Sequence, residues 1–334
     1  MAIPSSLSTR SGSRVLPSEA SIASLSRHCC SISTGKHLAA GLSSTFLFKS
    51  LRTAVANSGC MASLSPATSR AMEDLITTAS KDLLVIGPGV LGKLVAGSWM
   101  KEFPSCSVAG QTVTTNHHEE LQSLGISPLL KDSHNEQRFP FVIFCAPPSG
   151  SSDYAAELRH AARQWNGEGV FLFTSSSAVY DCMDNGECNE DTPIVSLGQS
   201  PRTDVLLRAE QEVLQVGGTV ERGPHAYWAK KGIVDARPDH ILNLIHYEDA
   251  ASLCVTILKK GFRKEVFMGC DNHPLSRQEV MDTVDESGKF KDKFQAFTGK
   301  DGPLGKKMNC DRTRIRTGWR PKYTSFAEFV KNVA

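Results

Sequence analysis

The sequence predicts an α/β protein: a doubly wound, mostly parallel sheet with a small C-terminal lobe, preceded by a disordered N-terminal tail. Three observations lead there. The apolar runs Leu83-Leu84-Val85-Ile86, Phe141-Val142-Ile143-Phe144 and Val170-Phe171-Leu172-Phe173 read as strands buried on both faces. Helix-like stretches alternate with these runs, as in a parallel sheet covered by helices on both sides. The first run also leads straight into Gly87-Pro88-Gly89-Val90-Leu91-Gly92, a Gly-x-Gly-x-x-Gly spacing.

Residues 1–70 have a different character. They hold 18 serines and seven Lys or Arg against a single acid, Glu19. A Ser-rich, acid-poor start with scattered arginines has the composition of an organellar transit peptide. Its early apolar residues are broken by Ser, Thr, Pro and Arg, unlike a secretory signal core. Serine outnumbers arginine, so the chloroplast stroma is the first expected location and the mitochondrion the second. The tail carries +6 of the chain's +2 net charge, leaving −4 on the rest. A mildly acidic remainder lacks the basic footprint of a general nucleic-acid binder. No apolar run reaches membrane-spanning length, so no membrane partner is expected. Seven cysteines follow the tail (106, 145, 182, 188, 254, 270, 310), none in Cys-x-x-Cys or zinc-ligand spacing, so no metal site is expected. They read as reduced structural thiols, with a Cys182–Cys188 redox pair as the alternative. Oligomeric state has no signature in the sequence.

The elements follow in order. A strand at 83–86 leads through the glycines into a helix over about 90–102. A second strand lies near Ser107–Gly110 and a helix over about Asn116–Ser123. The run 141–146 is a strand stopped by Pro147-Pro148-Ser149-Gly150, and Ser152 is the expected cap of a helix reaching Arg163. The run 170–173 is the next strand and ends in Thr174-Ser175-Ser176-Ser177. A charged helix covers about 203–214. His240–Ile245 reads as a strand, Glu248–Lys259 as a helix, and Val266-Phe267-Met268 as a short strand. This divides the chain into a tail (1–70), a dinucleotide-binding domain (71–215), and the remainder of the sheet with a C-terminal substrate lobe (216–334).

The glycine spacing has a physical cause. Gly87 allows the tight turn, Gly89 allows close approach of a pyrophosphate, and Gly92 lets helix pack on strand. The diphosphate would sit on unpaired N–H groups of Val90 and Leu91 at the positive end of the helix. NAD selection places Asp or Glu about 20 residues on, against the ribose hydroxyls. Here that stretch is Gly110-Gln111-Thr112-Val113-Thr114, with no carboxylate. Gln111 and Thr112 would not repel a 2′-phosphate, so NADP is weakly preferred and NAD is the alternative.

Five segments carry a resemblance to a family. They are the glycine loop; Thr174-Ser175-Ser176-Ser177-Ala178-Val179-Tyr180; Asn243-Leu244-Ile245-His246-Tyr247-Glu248-Asp249-Ala250-Ala251; Asn272-His273-Pro274-Leu275-Ser276; and Thr317-Gly318-Trp319-Arg320-Pro321-Lys322-Tyr323. Together they span about residues 80–325. In this order they resemble the extended or atypical short-chain dehydrogenases, the NAD-dependent epimerase/dehydratase-like group of Rossmann-fold proteins, in a plant organellar form. The resemblance implies that Ser176 hydrogen-bonds a substrate carbonyl or alcohol. It also places Cys145, Ala146 and Pro147 against the ribose and nicotinamide side of the cofactor, and Asn243 and His246 near the substrate mouth.

Two departures stand out. The family's Tyr-x-x-x-Lys lies on the helix after the serine strand, where the lysine lowers the tyrosine's pKa. Here that helix reads Pro201-Arg202-Thr203-Asp204-Val205-Leu206-Leu207-Arg208-Ala209-Glu210, with neither residue. A Tyr-x-x-x-Lys occurs instead at Tyr227 and Lys231, the remaining catalytic candidates, although chance is the better explanation of that spacing. The family also has a further strand after the charged helix. This chain offers Thr219-Val220 before charge, Gly and Pro intervene, as though about ten residues were missing. That predicts a sheet lacking a strand and a neighbour with an unpaired edge.

The resemblance implies an NAD(P)-dependent oxidoreductase or epimerase-like enzyme acting on a small or sugar-like substrate, with an atypical active site. The absent tyrosine and lysine leave open a non-catalytic NAD(P)-binding protein, or an internally shortened, weakly active isoform. In the C-terminal part, His273, Lys306, Lys307 and Arg314 are possible anion contacts, with solvated surface as their commoner reading.

Overall fold

The chain divides into two units, Met1–Ser69 and Arg70–Ala334. The computed structural model describes residues 80–332, apart from 132, 134, 135, 224–232 and 289–293. The tail and the pair Tyr227 and Lys231 therefore lie outside the described residues.

The second unit is built on a seven-stranded sheet. Its strands are β1 (Leu83–Ile86), β2 (Val108–Thr112), β3 (Ser127–Leu130), β4 (Phe141–Phe144), β5 (Phe171–Ser176), β7 (Thr219–Gly223) and β10 (Val266–Met268). They lie in the order β10-β7-β5-β4-β1-β2-β3, and every pairing is parallel. β1 and β4 are buried at every position, which is why their sequences are continuous rather than alternating. From β1 the chain builds outward to β3, then crosses to β4 and builds the other way. The reversal opens a crevice between the C-terminal ends of β1 and β4.

Helices cover both faces. α1 (Val90–Glu102) turns Gly92, Val95, Ala96 and Trp99 inward at helical spacing. It packs with α5 (Tyr247–Lys260) over Leu83, Val85, Ile143 and Leu172. The other face carries α3 (Tyr154–Gln164) and α4 (Pro201–Gln215), which cover Leu84, Val142, Phe171 and Phe173. The short α2 (His118–Ser123) precedes β3. α3 is capped not by Ser152 but by Asp153, whose carboxylate accepts from the Ala156 amide at 2.9 Å. The charged oxygen is the stronger acceptor at a positive helix end.

The expected loss of a strand is overturned. β7 is a full strand of five buried residues between β5 and β10. It runs from Leu172↔Thr219 to Ser176↔Gly223 on one side, and Val220 to Arg222 meet β10 on the other. Its charges had argued against a central strand, and each is accommodated. Arg222 donates to Glu210 of α4 at 3.0 and 2.6 Å, a buried ion pair. Glu221 is wholly enclosed, and burial pushes its carboxyl up to about 8, so it is held neutral near pH 7.

A smaller C-terminal lobe holds the four-stranded sheet β11-β9-β13-β6. Its strands are β6 (Asp184–Cys188), β9 (Ile241–Leu242), β11 (Leu275–Ser276) and β13 (Gly305–Met308). β12 (Ala296–Phe297) pairs with β8 (Ile233–Val234), and α6 (Arg277–Ser287), α7 (Asp311–Thr317) and α8 (Phe326–Asn332) complete the lobe. The strand expected over 240–245 shrinks to Ile241–Leu242. Beyond it the Asn243 side chain takes over the pairing with β13, donating to the Lys306 carbonyl at 2.9 Å and accepting from the Met308 amide at 2.8 Å.

Candidate dinucleotide-binding site

The glycine loop sits at the crevice. Gly87 has φ of +76°, and a Cβ there would stand 2.6 Å from both the nitrogen and the α-carbon of Ala146. The loop therefore packs on the chain leaving β4, and Gly87 is forced on two counts. A Cβ on Gly92 would lie 2.8 Å from Val85 Cγ1 and 3.0 Å from the Gly87 carbonyl, which ties α1 to β1. Gly89 differs. It caps α1 without a side-chain hydrogen bond, and a Cβ added to it would meet nothing within 4 Å. The space above Gly89 is open, and the amides of Val90, Leu91 and Gly92 are the first-turn donors that no helix can pair internally. These residues fit a diphosphate: open backbone, free donors and a positive helix end.

The flanking strands complete the floor. The Gly87 amide donates to the Gln111 carbonyl at 3.1 Å, fixing the loop to β2. Gln111 is buried, whereas Thr112 Oγ1 lies 2.8 Å from His118 Nε2 at the start of α2. Lys93 of α1 is paired with Glu120 of α2. At β4, the Cys145 amide donates to the Ile86 carbonyl at 2.8 Å, and the Tyr154 hydroxyl to the Ala146 carbonyl at 2.6 Å. Burial pushes the Cys145 thiol up to about 12, so it is no nucleophile at neutral pH. Pro147 is exposed at the rim. Gly87, Gly89, Val90, Leu91, Gly92, Gln111, Thr112, Cys145, Ala146 and Pro147 thus lie along one edge of the sheet, at the C-terminal ends of β1, β2 and β4.

Ser176 ends β5 and caps the 3₁₀ turn Ser177–Val179, its Oγ accepting from the Ala178 amide at 3.2 Å. Among the described residues no acceptor takes its proton. Lys306 of β13, only 7% exposed, donates to the Ser177 and Tyr180 carbonyls at 3.0 and 2.7 Å. This lysine anchors the small lobe to the turn after Ser176. Burial holds its ammonium below the usual lysine range. Tyr180 is enclosed beside it, and burial pushes its hydroxyl up to about 12. Asn243 spends its amide on β13, as described above. His246 caps α5, its Nδ1 accepting from the Glu248 amide at 3.2 Å, and packs against Tyr323 and Phe329 at ring separations of 4.4 and 4.5 Å.

Three contacts escaped sequence reasoning. Lys306 is joined to the serine turn rather than lying on the surface. Arg314 also turns inward and donates to the Asp271 carbonyl at 2.9 Å. Ser175, beside the candidate Ser176, donates to Glu210 at 2.5 Å and extends the buried Arg222 pair. No sequence signal marked that pair, since Glu210 is one of several charges on α4 and Arg222 follows Glu221 in β7.

No protein-family model and no curated protein sequence matches the chain. Among solved structures, it is similar to a functionally unknown conserved protein from Silicibacter pomeroyi. That match has 19% identity and a TM-score of 0.61, covering 75% of this chain and 96% of that one. It is similar to dTDP-glucose 4,6-dehydratase from Bacillus anthracis in complex with NAD, at 17% identity and TM-score 0.61, covering 76% and 94%. UDP-glucuronic acid 4-epimerase from Bacillus cereus, also in complex with NAD, matches at 15% identity and TM-score 0.59, covering 75% and 96%. The chain has the Rossmann-type α/β fold of these epimerases and dehydratases.

Proposed function

We propose that this chain is an NAD(P)-dependent, epimerase-like oxidoreductase acting on a small or sugar-like substrate through an atypical active site. The observation that carries the reading is the cradle at the β1–β4 crevice. There Gly87 is pinned on Ala146, Gly89 is open, and the first-turn amides of α1 are unspent. The structural neighbours solved with NAD, and one solved with UDP-glucuronic acid and NAD, support the cofactor and substrate classes.

The glycine loop and first turn of α1 would hold the diphosphate. Thr112 and His118 would face the adenosine ribose, and the lack of a carboxylate in the run 110–114 supports NADP. Once bound, the nicotinamide supplies the hydride acceptor or donor. Ser176 would orient the substrate oxygen with its free hydroxyl proton, and Lys306 holds the turn that presents it. Tyr227 with Lys231 remains the proposed proton-transfer pair.

A second reading, a non-catalytic NAD(P)-binding protein, is favoured by the engagement of Ser176 as a cap and by the enclosure of Tyr180. A substrate screen on the protein lacking residues 1–70, with NADPH and NADH, separates the two. Turnover that falls at least tenfold in Ser176→Ala and in Tyr227→Phe, with cofactor binding unchanged, supports the enzyme. Binding without turnover of any sugar nucleotide supports the binder. We further propose that residues 1–70 direct the chain to the chloroplast stroma; a fluorescent protein fused after residue 70 would then accumulate there and not in the cytosol.

A further inference from the structure

We propose that Cys270 and Cys310 form a reversible disulfide that joins the end of β10 to the start of α7. Cys270 lies two residues past β10, and Cys310 is the N-cap residue of α7. Cys310 Sγ is 3.2 Å from the Cys270 carbonyl oxygen. Cys270 Sγ is 3.1 Å from Asn272 Oδ1, and the same oxygen accepts from the Cys310 amide at 2.8 Å. One asparagine thus bonds both cysteine residues, and the Cys310 sulfur lies against the Cys270 backbone. A disulfide needs a short span between its two residues, and the shared asparagine and the Cys310 Sγ contact with the Cys270 carbonyl supply one.

The pair is chemically unequal. Arg314, one turn into α7, donates to the Cys270 and Asp271 carbonyls at 3.2 and 2.9 Å. The neighbouring Cys270 thiol first, and then the Arg314 guanidinium, hold Cys310 below the usual thiol range, against the effect of burial. Cys270 is raised well above that range. The other five described cysteines, Cys106, Cys145, Cys182, Cys188 and Cys254, are all raised by burial. The Cys182–Cys188 pair, the sequence's only redox candidate, therefore lacks an activated member. Cys310 is the thiol whose anion is favoured, and the anion is the nucleophile.

Hydrogen peroxide, small and uncharged, is the oxidant class suited to an enclosed pair. The Cys310 thiolate attacks one peroxide oxygen, the O–O bond breaks, and hydroxide leaves with a Cys310 sulfenic acid formed. The Cys270 sulfur then attacks the Cys310 sulfur; the S–O bond breaks, and the hydroxyl leaves as water with the thiol proton. The two sulfurs lose two electrons between them, and peroxide is reduced to water. A dithiol reductant reverses the bond by exchange.

The test treats the folded protein with hydrogen peroxide, alkylates the remaining thiols, and identifies cross-linked peptides by mass spectrometry. The expected product joins the peptides of Cys270 and Cys310, and a dithiol reductant returns both to the free thiol. In Cys270→Ser the reaction should stop at a Cys310 sulfenic acid trapped by dimedone. In Cys310→Ser, oxidation at Cys270 should slow about tenfold or more. Full alkylation of Cys310 after peroxide, or a cross-link between Cys182 and Cys188 instead, would overturn the proposal. Should either serine variant fail to fold, the cross-link in the unaltered chain decides alone.

Discussion

Gly87 and Ala146 touch so closely that a methyl group on the glycine would stand 2.6 Å from the alanine backbone. The contact joins the two strands on either side of the chain reversal, so loop and crevice are one construction. Gly87→Ala brings both a collision and a left-handed backbone that alanine resists. The expected cost is about 2–4 kcal/mol of stability, read by urea unfolding.

Gly89 should behave in the opposite way. Its surroundings are empty, so Gly89→Ala should cost less than about 1 kcal/mol as a change of helix cap. The same methyl would occupy the space where a diphosphate approaches, and dinucleotide affinity should fall about tenfold or more. Thermal unfolding and cofactor titration of the two variants together distinguish a structural glycine from a binding one.

The Arg222–Glu210 pair lies inside the protein with Ser175 as its third member. Removing one partner leaves an uncompensated buried charge. Glu210→Ala should cost about 3–5 kcal/mol. Replacing both charges with apolar residues of similar volume should cost clearly less, which a double-mutant cycle in urea would show.

Glu221 gives a pH signature. Its folded pKa of about 8 lies above the 4.5 of the free carboxyl. Between those values the folded state holds a proton that the unfolded state has released, so stability falls as pH rises through this window. The melting temperature should drop from pH 5 to pH 8, and Glu221→Gln should flatten that slope. An unchanged slope in the variant would assign it to other groups.

Cofactor preference turns on the end of β2. The run 110–114 carries no carboxylate, and Thr112 stands there beside His118, so NADPH should bind more tightly than NADH. His118→Ala should reduce that preference, as competition titrations of the two nucleotides would show.

The main frame was legible because its strands announce themselves: Leu83–Ile86 and Phe141–Phe144 are buried on both faces and carry unbroken apolar sequence. The glycine loop was equally clear, since each glycine answers a steric demand local to the chain. β7 was misread because Glu221 and Arg222 look like loop residues until α4 supplies Glu210 and burial keeps Glu221 neutral. Lys306 lies 129 residues beyond Ser177, and no local pattern connects them. Asp153 displaced Ser152 as a cap through a difference of one residue, a scale at which composition is silent.

The central claim is that the crevice binds a nicotinamide dinucleotide. Isothermal titration of NADPH and NADH into the protein lacking residues 1–70, beside its Gly89→Ala variant, tests it directly. One nucleotide per chain at micromolar affinity, weakened about tenfold or more in the variant, is the predicted result. No binding at millimolar nucleotide, or equal binding by the variant, would contradict it.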